Sequence, residues 1–168
     1  MKDKLDPFVV IFLRALKTFY NPIIVTTLHI LVNVIHLGLP SFKTLLKKFL
    51  NKIFKLFEAA EGSDNEFLNT LFRCVTELIK TYSVYNDLSE TQIKTLVLII
   101  KNNVTNFSQQ THVFQCLKQI INRKFLCPDL YDLMETIEEM MVTNISRTTR
   151  STCASIFVQF LLEYPLES

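Results

Sequence analysis

Five carboxylates along one predicted helix are the residues of this chain most able to do acid–base chemistry. They are Asp129, Asp132, Glu135, Glu138 and Glu139. Paired carboxylates can act as general acid and base, but this work requires a raised pKa and hence burial beside an apolar wall. The spacing of the five is that of one face of an amphipathic helix, which predicts solvent exposure instead. We therefore expect no catalysis from this acidic face, and we expect the chain not to be an enzyme.

The histidines make a poor metal site. His29 and His36 lie seven residues apart without a Cys, Asp or Glu nearby, and His112 is distant. Zinc sites in proteins usually combine four such ligands at close spacing. We expect the first two histidines to lie in contacts between neighbouring helices, and we expect no metal and no cofactor.

The four cysteines form no CxxC pair. Cys74, Cys116 and Cys153 fall within apolar helix stripes and are predicted to be small core residues. Cys127 precedes Pro128 in a loop, where it would be the thiol most open to solvent, although a packed loop residue is the simpler interpretation. The pattern is typical of a reduced intracellular protein with buried thiols.

Five lysines on one predicted helix form the candidate RNA-binding site. They are Lys43, Lys47, Lys48, Lys52 and Lys55, and no acidic residue lies among them. Contact with RNA phosphates needs positive charge and little exact geometry, so such a face suits RNA. The alternative is an ordinary solvated face opposite the core.

A second basic set is weaker. Arg147 and Arg150 lie at the predicted start of the last helix, with Arg123 and Lys124 at the opposite end of the same helical pair. Cations at a helix N-terminus oppose the helix dipole. We expect a nearby acid from the preceding helix to offset that cost, unless a partner does so.

Hydrophobic periodicity predicts helices throughout. The chain has 168 residues, 49% of them hydrophobic, with 2 Gly, no Trp and a net charge of +2. So few glycines argue against β-rich folds and phosphate-binding loops, and the small net charge does not by itself indicate a nucleic-acid binder. Helices are predicted to begin at Pro7, at Pro22 (ending at Gly38), after the cap Ser41, after a break at Gly62 to Asp64, after Ser89, at Ser108 or Thr111, at Pro128, and after the cap Ser146. Ser89 and Gln92 form a predicted capping box, which follows a loop from Tyr82 to Leu88. The last helix is predicted to end just before Pro165.

These helices group into four pairs, approximately 6–38, 40–82, 89–124 and 128–164. Each pair has about the length of a HEAT or armadillo repeat. One pair cannot bury its own apolar face, so neighbouring pairs must stack. We predict an all-α fold, an α-solenoid of about four HEAT-like pairs that forms a single segment of a longer solenoid. A closed eight-helix bundle is the alternative.

The last pair carries a family resemblance. Residues 125–134 read FLCPDLYDLM, and residues 159–166 read QFLLEYPL. Both segments resemble motifs of the very large HEAT-repeat scaffold family of the small-subunit processome, also known as down-regulated in metastasis. The resemblance covers about the last quarter of the chain; earlier residues match only the helical-repeat character. Cys127 departs from the family pattern, which has an apolar β-branched residue there.

The resemblance implies a nucleolar scaffold of ribosome assembly that performs no cleavage. Such a scaffold would contact pre-ribosomal RNA and processome proteins, and would support pre-18S rRNA processing and 40S subunit assembly. It implies no DNA, membrane or small-molecule substrate.

Two other functions remain open on the residues alone. The first is a general protein-binding helical-repeat adaptor, transport-receptor-like or phosphatase-scaffold-like. The second is a small membrane-associated bundle, because the run from Pro22 to Leu39 carries no formal charge and approaches the length of a membrane span. Thr, His and Asn residues within that run favour a helix buried in protein.

Overall fold

The computed structural model describes residues 2–60, 65–82 and 87–165, and within these ranges every regular element is helical. The predicted all-α fold is therefore confirmed. The predicted break at Gly62 to Asp64 and most of the loop after Tyr82 lie outside the described residues. The helices are α1 Lys2–Leu5, α2 Phe8–Ala15, α3 Asn21–Val34, α4 Pro40–Ala59, α5 Asn65–Thr81, α6 Glu90–Asn103, α7 Gln110–Asn122, α8 Pro128–Thr143 and α9 Arg147–Glu163.

The chain forms two compact units, Met1–Leu88 and Ser89–Ser168. In the first unit α2 packs on α3 and α4 packs on α5, while α2 also contacts α4 and α3 contacts α5. In the second unit α6 packs on α7 and α8 on α9, while α6 contacts α8 and α7 contacts α9. Within each unit, the first helix of one pair thus contacts the first helix of the next pair, and the second helix contacts the second. Helical repeats bury their apolar faces by stacking in this way. The predicted all-α architecture of helical pairs is confirmed, whereas the bounds of the four pairs and their continuation as one segment of a longer solenoid stay predictions.

Proline and side-chain caps begin several helices as predicted. Pro22 and Pro128 lie in the first turns of α3 and α8, where a proline costs no helical hydrogen bond because the N–H groups of the first turn have no partner within the helix. Pro40 occupies the same position in α4, where the sequence predicts Ser41 as the cap. Ser89 forms the expected capping box: the Gln92 N–H donates to its Oγ at 3.2 Å, and its own N–H donates to Gln92 Oε1 at 3.0 Å. Ser146 likewise accepts from the Thr149 N–H at 3.3 Å.

One helix end also follows the prediction. After Val34 a 3-10 turn, Ile35–Leu37, ends at Gly38, whose φ of 63° is left-handed and therefore favours glycine.

Hydrophobic periodicity predicts Val10, Leu13, Leu16 and Tyr20 on the inner side of the first helix, and this prediction is partly wrong. Val9, Leu13 and Leu16 are buried, whereas Val10 and Tyr20 are exposed. Val9 precedes Leu13 and Leu16 by four and seven residues, so these three share a helical face that Val10 misses. Tyr20 lies beyond the end of α2 at Ala15.

Two predicted helix starts are also corrected. Ser41 does not cap α4, because the helix begins one residue earlier, at Pro40. α7 begins at Gln110, between the two predicted starts at Ser108 and Thr111. Before it, Asn106 organises a turn by accepting the N–H and the hydroxyl of Ser108 on its Oδ1.

The core of each unit is aliphatic and aromatic, with the predicted cysteines in it. Cys74, Cys116 and Cys153 are buried, which confirms their interpretation as core residues. Cys127 is buried as well, so the packed loop position is the correct one. Within the described residues, no helix combines the length and the apolar character that crossing a bilayer requires.

Candidate nucleic-acid interface

The five candidate lysines lie on the solvent side of α4 and are here called the lysine face. Lys43, Lys47, Lys48 and Lys55 are exposed, and Lys52 is half-buried. From Lys43 to Lys55 the face extends about 18 Å along the helix axis, at 1.5 Å per residue. None of the five pairs with an acidic side chain in the described part of the chain. The charge of the face is therefore available to a partner.

The opposite side of α4 fixes this orientation. It buries eight apolar residues, among them Phe42, Phe49 and Phe57, against α2 and α5. The Phe42 and Phe49 rings lie 5.0 Å apart, and Phe57 meets Phe72 of α5 edge to face at 5.2 Å. Rotating α4 to hide the lysines would expose this aromatic side, which is strongly unfavourable.

Asp6 caps the N-terminus of α4 from a distant part of the chain. Its Oδ1 accepts the Ser41 N–H at 2.9 Å, and its Oδ2 accepts the Ser41 hydroxyl at 2.6 Å. The carboxylate thus supplies the acceptor that Leu39, at the N-cap position, lacks. It also places negative charge at the positive end of the helix dipole. Sequence reasoning missed Asp6 because the contact joins residues 35 positions apart.

The acidic face of α8 is exposed as predicted. Asp132, Glu135, Glu138 and Glu139 lie in solvent. Half-buried Asp129 lies 3.6 Å from Lys94 Nζ and accepts the Cys127 thiol at 3.6 Å. Burial raises the pKa of the Cys127 thiol, which favours its neutral form. A neutral thiol and solvated carboxylates do not form a nucleophile–base pair.

The described residues hold no cluster of three or more His, Cys, Asp or Glu side chains that could bind a metal ion. His29 Nε2 lies 3.6 Å from Glu66 of α5, so its predicted contact with a neighbouring helix is confirmed. His36 is exposed, which contradicts the same prediction for that residue.

Two cations of the second basic set, Arg150 and Lys124, have partners inside their own unit. Arg150 donates from Nη1 to the Asn144 carbonyl at 2.7 Å and the Ile145 carbonyl at 3.0 Å. The prediction that an acidic side chain of the preceding helix offsets the charge of Arg150 is therefore wrong. Main-chain carbonyls that follow α8 accept its hydrogen bonds instead. Lys124 Nζ lies 2.7 Å from Glu163 at the end of α9. These two cations are committed to structure, unlike those of the lysine face.

The two segments that carry the family resemblance meet in space. Tyr131, Phe160 and Tyr164 form an aromatic cluster, called here the aromatic latch. Phe160 stacks on Tyr164 at 4.8 Å, and Tyr131 meets Phe160 edge to face at 5.2 Å. Sequence reasoning did not foresee this contact, although aromatic residues in both segments could have indicated it.

Hydrogen bonds join the aromatic latch to the loop before α8 and to the segment after α9. The buried Tyr164 hydroxyl donates to the Phe125 carbonyl at 3.0 Å, and the Tyr131 hydroxyl donates to the Pro165 carbonyl at 3.1 Å. Gln159 also donates to the Asn122 side chain. The motif residues therefore hold the α8–α9 pair and the preceding loop together, which is a structural role.

Comparison with known proteins gives two related matches. A protein of Schizosaccharomyces pombe is 26% identical over 117 residues, 70% of this chain, and one of Saccharomyces cerevisiae is 24% identical over 161 residues, 95% of this chain. Both are called U3 small nucleolar RNA-associated protein 20. The resemblance predicted from the two motifs is confirmed. No family model matches the chain.

The matches to U3 small nucleolar RNA-associated protein 20 extend the resemblance well beyond the motifs. With 161 aligned residues, the S. cerevisiae match takes in both units and the lysine face. The chain spans only 5% and 6% of the length of these relatives, so it fits a segment of such a protein.

Proposed function

We propose that this chain is a non-catalytic scaffold segment of a small-subunit processome-type assembly. It would act in the nucleolus and support pre-18S rRNA processing and 40S subunit assembly. The observation that carries the proposal is the similarity over 95% of the chain to a protein named for its association with U3 small nucleolar RNA. Stacked helical pairs suit such work because they offer long surfaces to several partners.

Within that proposal, the lysine face is the RNA contact. It offers five lysines over about 18 Å of helix, on a side that the core fixes toward solvent. Lysines on flexible stems can follow a phosphate backbone without reading its sequence. We therefore assign to α4 a sequence-independent contact with pre-ribosomal RNA.

The test replaces all five lysines with glutamine and measures binding to a transcribed small-subunit rRNA precursor at several salt concentrations. Each phosphate contact adds about 0.7 to 0.9 to the slope of log affinity against log salt. Loss of five contacts should therefore flatten the slope by about 3.5 to 4.5 and weaken binding at low salt.

A matched control neutralises five other exposed cations, namely Lys4, Arg14, Lys17, Lys101 and Arg147. This control changes the net charge by the same amount and should flatten the slope much less. If both variants flatten the slope equally, the lysine face contributes only general positive charge and is not a particular RNA contact. If the slope of the lysine-face variant is unchanged, α4 does not contact RNA. Circular dichroism should show both variants folded, because every substituted side chain lies outside the core.

A general protein-binding adaptor is the second candidate. A groove in the second unit, described next, favours it because its lining carries little charge. An adaptor of this kind would bind its partner with little dependence on salt and would not bind RNA.

A further inference from the structure

A groove of about 600 Å³ lies between α7 and α9 in the second unit. Its long sides are polar but almost uncharged. Thr111, Gln115 and Lys118 line it along α7, and Thr148 and Thr152 line it along α9. We call these five residues, with Phe107 at the rim, the polar groove.

The floor of the polar groove is held in place by hydrogen bonds. Buried Gln110 donates from Nε2 to the Val104 carbonyl at 3.0 Å, and its Oε1 accepts the Thr149 hydroxyl at 3.4 Å. Thr149 is tied in turn to Ser146, the cap of α9. Because these bonds join α7 to the start of α9, the groove is formed before any partner arrives, which lowers the entropy cost of binding.

An apolar anchor point lies at the rim. Phe107 is 84% exposed, and Phe114 lies beside it in the lining, almost fully buried. An exposed aromatic ring next to a polar groove is typical of binding surfaces, where aromatic residues supply much of the affinity. Phe107 lies between α6 and α7 and does not belong to the buried core of the described residues.

The lining charge indicates which partner fits. Lys118 is the one charged residue that lines the groove, and it makes no ion pair within the described part of the chain. An RNA backbone carries a charge at every nucleotide and would need several cations here. A peptide backbone instead needs donors and acceptors such as hydroxyl and amide groups, which Thr111, Gln115, Thr148 and Thr152 provide.

The spacing of these side chains also suits an extended peptide. Residues one turn apart on a helix repeat every 5.4 Å. Alternate residues of an extended chain repeat about every 6.6 Å. Over two turns, long side chains such as Gln115 and Lys118 can compensate for the difference between these two repeat distances. The lining residues of α7 and of α9 can therefore both reach successive backbone groups of the peptide.

We propose that the polar groove binds an extended segment of a partner protein that carries an aromatic or aliphatic residue close to an acidic one. The apolar side chain packs on Phe107, the acidic side chain pairs with Lys118, and the threonines and Gln115 bond the backbone. This inference goes beyond the proposed RNA contact and uses residues of the other unit, so either can fail without the other.

The test uses the full chain with a photocrosslinking amino acid at position 151, which is exposed, lies on α9 one turn after Thr148 and is not one of the residues that line the groove. The probes are a pool of short synthetic peptides that contain one Phe or Leu and one Asp or Glu, a matched pool with Lys in place of the acid, and an oligouridine RNA. The acidic pool should crosslink at position 151 and not at a control position on the acidic face, Glu135. The lysine-face variant should crosslink equally well.

Variants then assign the contacts. Lys118→Gln should weaken crosslinking by the acidic pool about tenfold, the effect of one lost charge-assisted bond, and Lys118→Glu should weaken it further. Phe107→Ala should remove the preference for peptides with an apolar residue. Equal crosslinking of both peptide pools, stronger crosslinking of oligouridine, or no effect of the Lys118 and Phe107 variants would each overturn the proposal.

Discussion

Asp6 is a single side chain that caps a whole helix from a distant part of the sequence. It provides the only side-chain cap found at the start of α4 among the described residues, and it reaches Ser41 from the turn before α2. Its role is therefore to join two helical pairs of the first unit at the end of the helix that carries the lysine face.

Replacing Asp6 with alanine should lower the free energy of unfolding by about 1 to 2 kcal/mol, the usual cost of losing an N-terminal helix cap. Asp6→Asn keeps one acceptor and loses the charge, so it should cost less. Urea unfolding of the three proteins measures both values. No difference between wild type and Asp6→Ala would contradict the capping role, whereas an equal loss in both variants would assign the whole effect to charge.

Tyr82 gives the first unit a dependence on alkaline pH. Its hydroxyl lies 3.3 Å from the Ile35 carbonyl, and burial, with a smaller contribution from the Asp6 charge, raises its pKa from 10.0 to about 12. A raised pKa means that the folded state holds the proton more tightly than the unfolded state. The stabilisation is complete below about pH 10 and is lost as the pH rises toward about 12.

We therefore expect the urea midpoint of the wild type to fall between pH 10 and pH 12, and to fall less in Tyr82→Phe. Tyr20→Phe, which changes a largely exposed tyrosine, serves as the control and should leave the wild-type profile in place. If Tyr82→Phe loses stability over this pH range as steeply as the wild type, then ionisation of Tyr82 does not contribute to the pH dependence of stability.

At the scale of elements, the aromatic latch explains why α8 and α9 pack so closely. Tyr131 contributes from α8, Phe160 from α9, and Tyr164 directly after it. The latch joins the end of one helix to the beginning of the other and covers the loop at Phe125. Losing it should loosen the pair locally before the rest of the unit unfolds.

Tyr164→Phe keeps the stacked ring and removes the hydroxyl that bonds the loop. It should lower the free energy of unfolding by about 1 kcal/mol, because the hydrogen bond is buried. Tyr131→Phe removes an exposed hydrogen bond and should cost only a few tenths of that. Hydrogen exchange should show faster exchange near Phe125 in Tyr164→Phe alone. Equal costs for the two variants would contradict the difference in burial.

The sequence predicts these elements well where their cause is local. The capping box of Ser89 with Gln92, the Ser146 cap, and the prolines at the starts of α3 and α8 each act within one helical turn, so a short window contains the whole interaction. Asp6, Arg150 and Tyr164 act on backbone groups elsewhere in the chain or beyond their own helix. Periodicity carries no information about such contacts, because it describes one helix at a time.

The two candidate surfaces also differ in how far the sequence predicts them. The exposure of the lysine face follows from the apolar stripe on the other side of α4, so its position could be predicted. The polar groove could not, because it depends on how α7 packs against α9. Nor did spacing distinguish the lysines of α4, which have no acidic partner among the described residues, from Arg150 and Lys124, whose partners come near only on folding.

At the scale of the whole molecule, several helices are apolar on the side that faces solvent. On α9 these residues are Val158, Leu161 and Leu162, and on α2 they are Phe8 and Ile11. Monomeric proteins rarely expose contiguous apolar patches without a use. We propose that these faces are covered by further helical pairs of a longer chain, in keeping with relatives of which this chain spans only 5% and 6%.

By itself, then, the chain should self-associate through these faces. Ile11→Glu together with Leu162→Glu should shift the protein toward monomer in sedimentation velocity, because burying an unpaired carboxylate is unfavourable. Leu98→Glu is the control, since Leu98 is also about half exposed but has polar neighbours along its helix. A wild type that stays monomeric at high concentration would contradict the prediction, as would an equal effect of the control.

The aromatic latch has one more consequence, which concerns how relatives of this chain can diverge. The residues that make the chain recognisable are those that fasten a hairpin, and none of them belongs to the lysine face or to the described lining of the polar groove. Selection on the fastening therefore leaves both surfaces free to change. Two proteins could share the motifs completely and still hold different RNAs or peptides, so the motifs identify a shape, while the cargo must be determined separately for each protein.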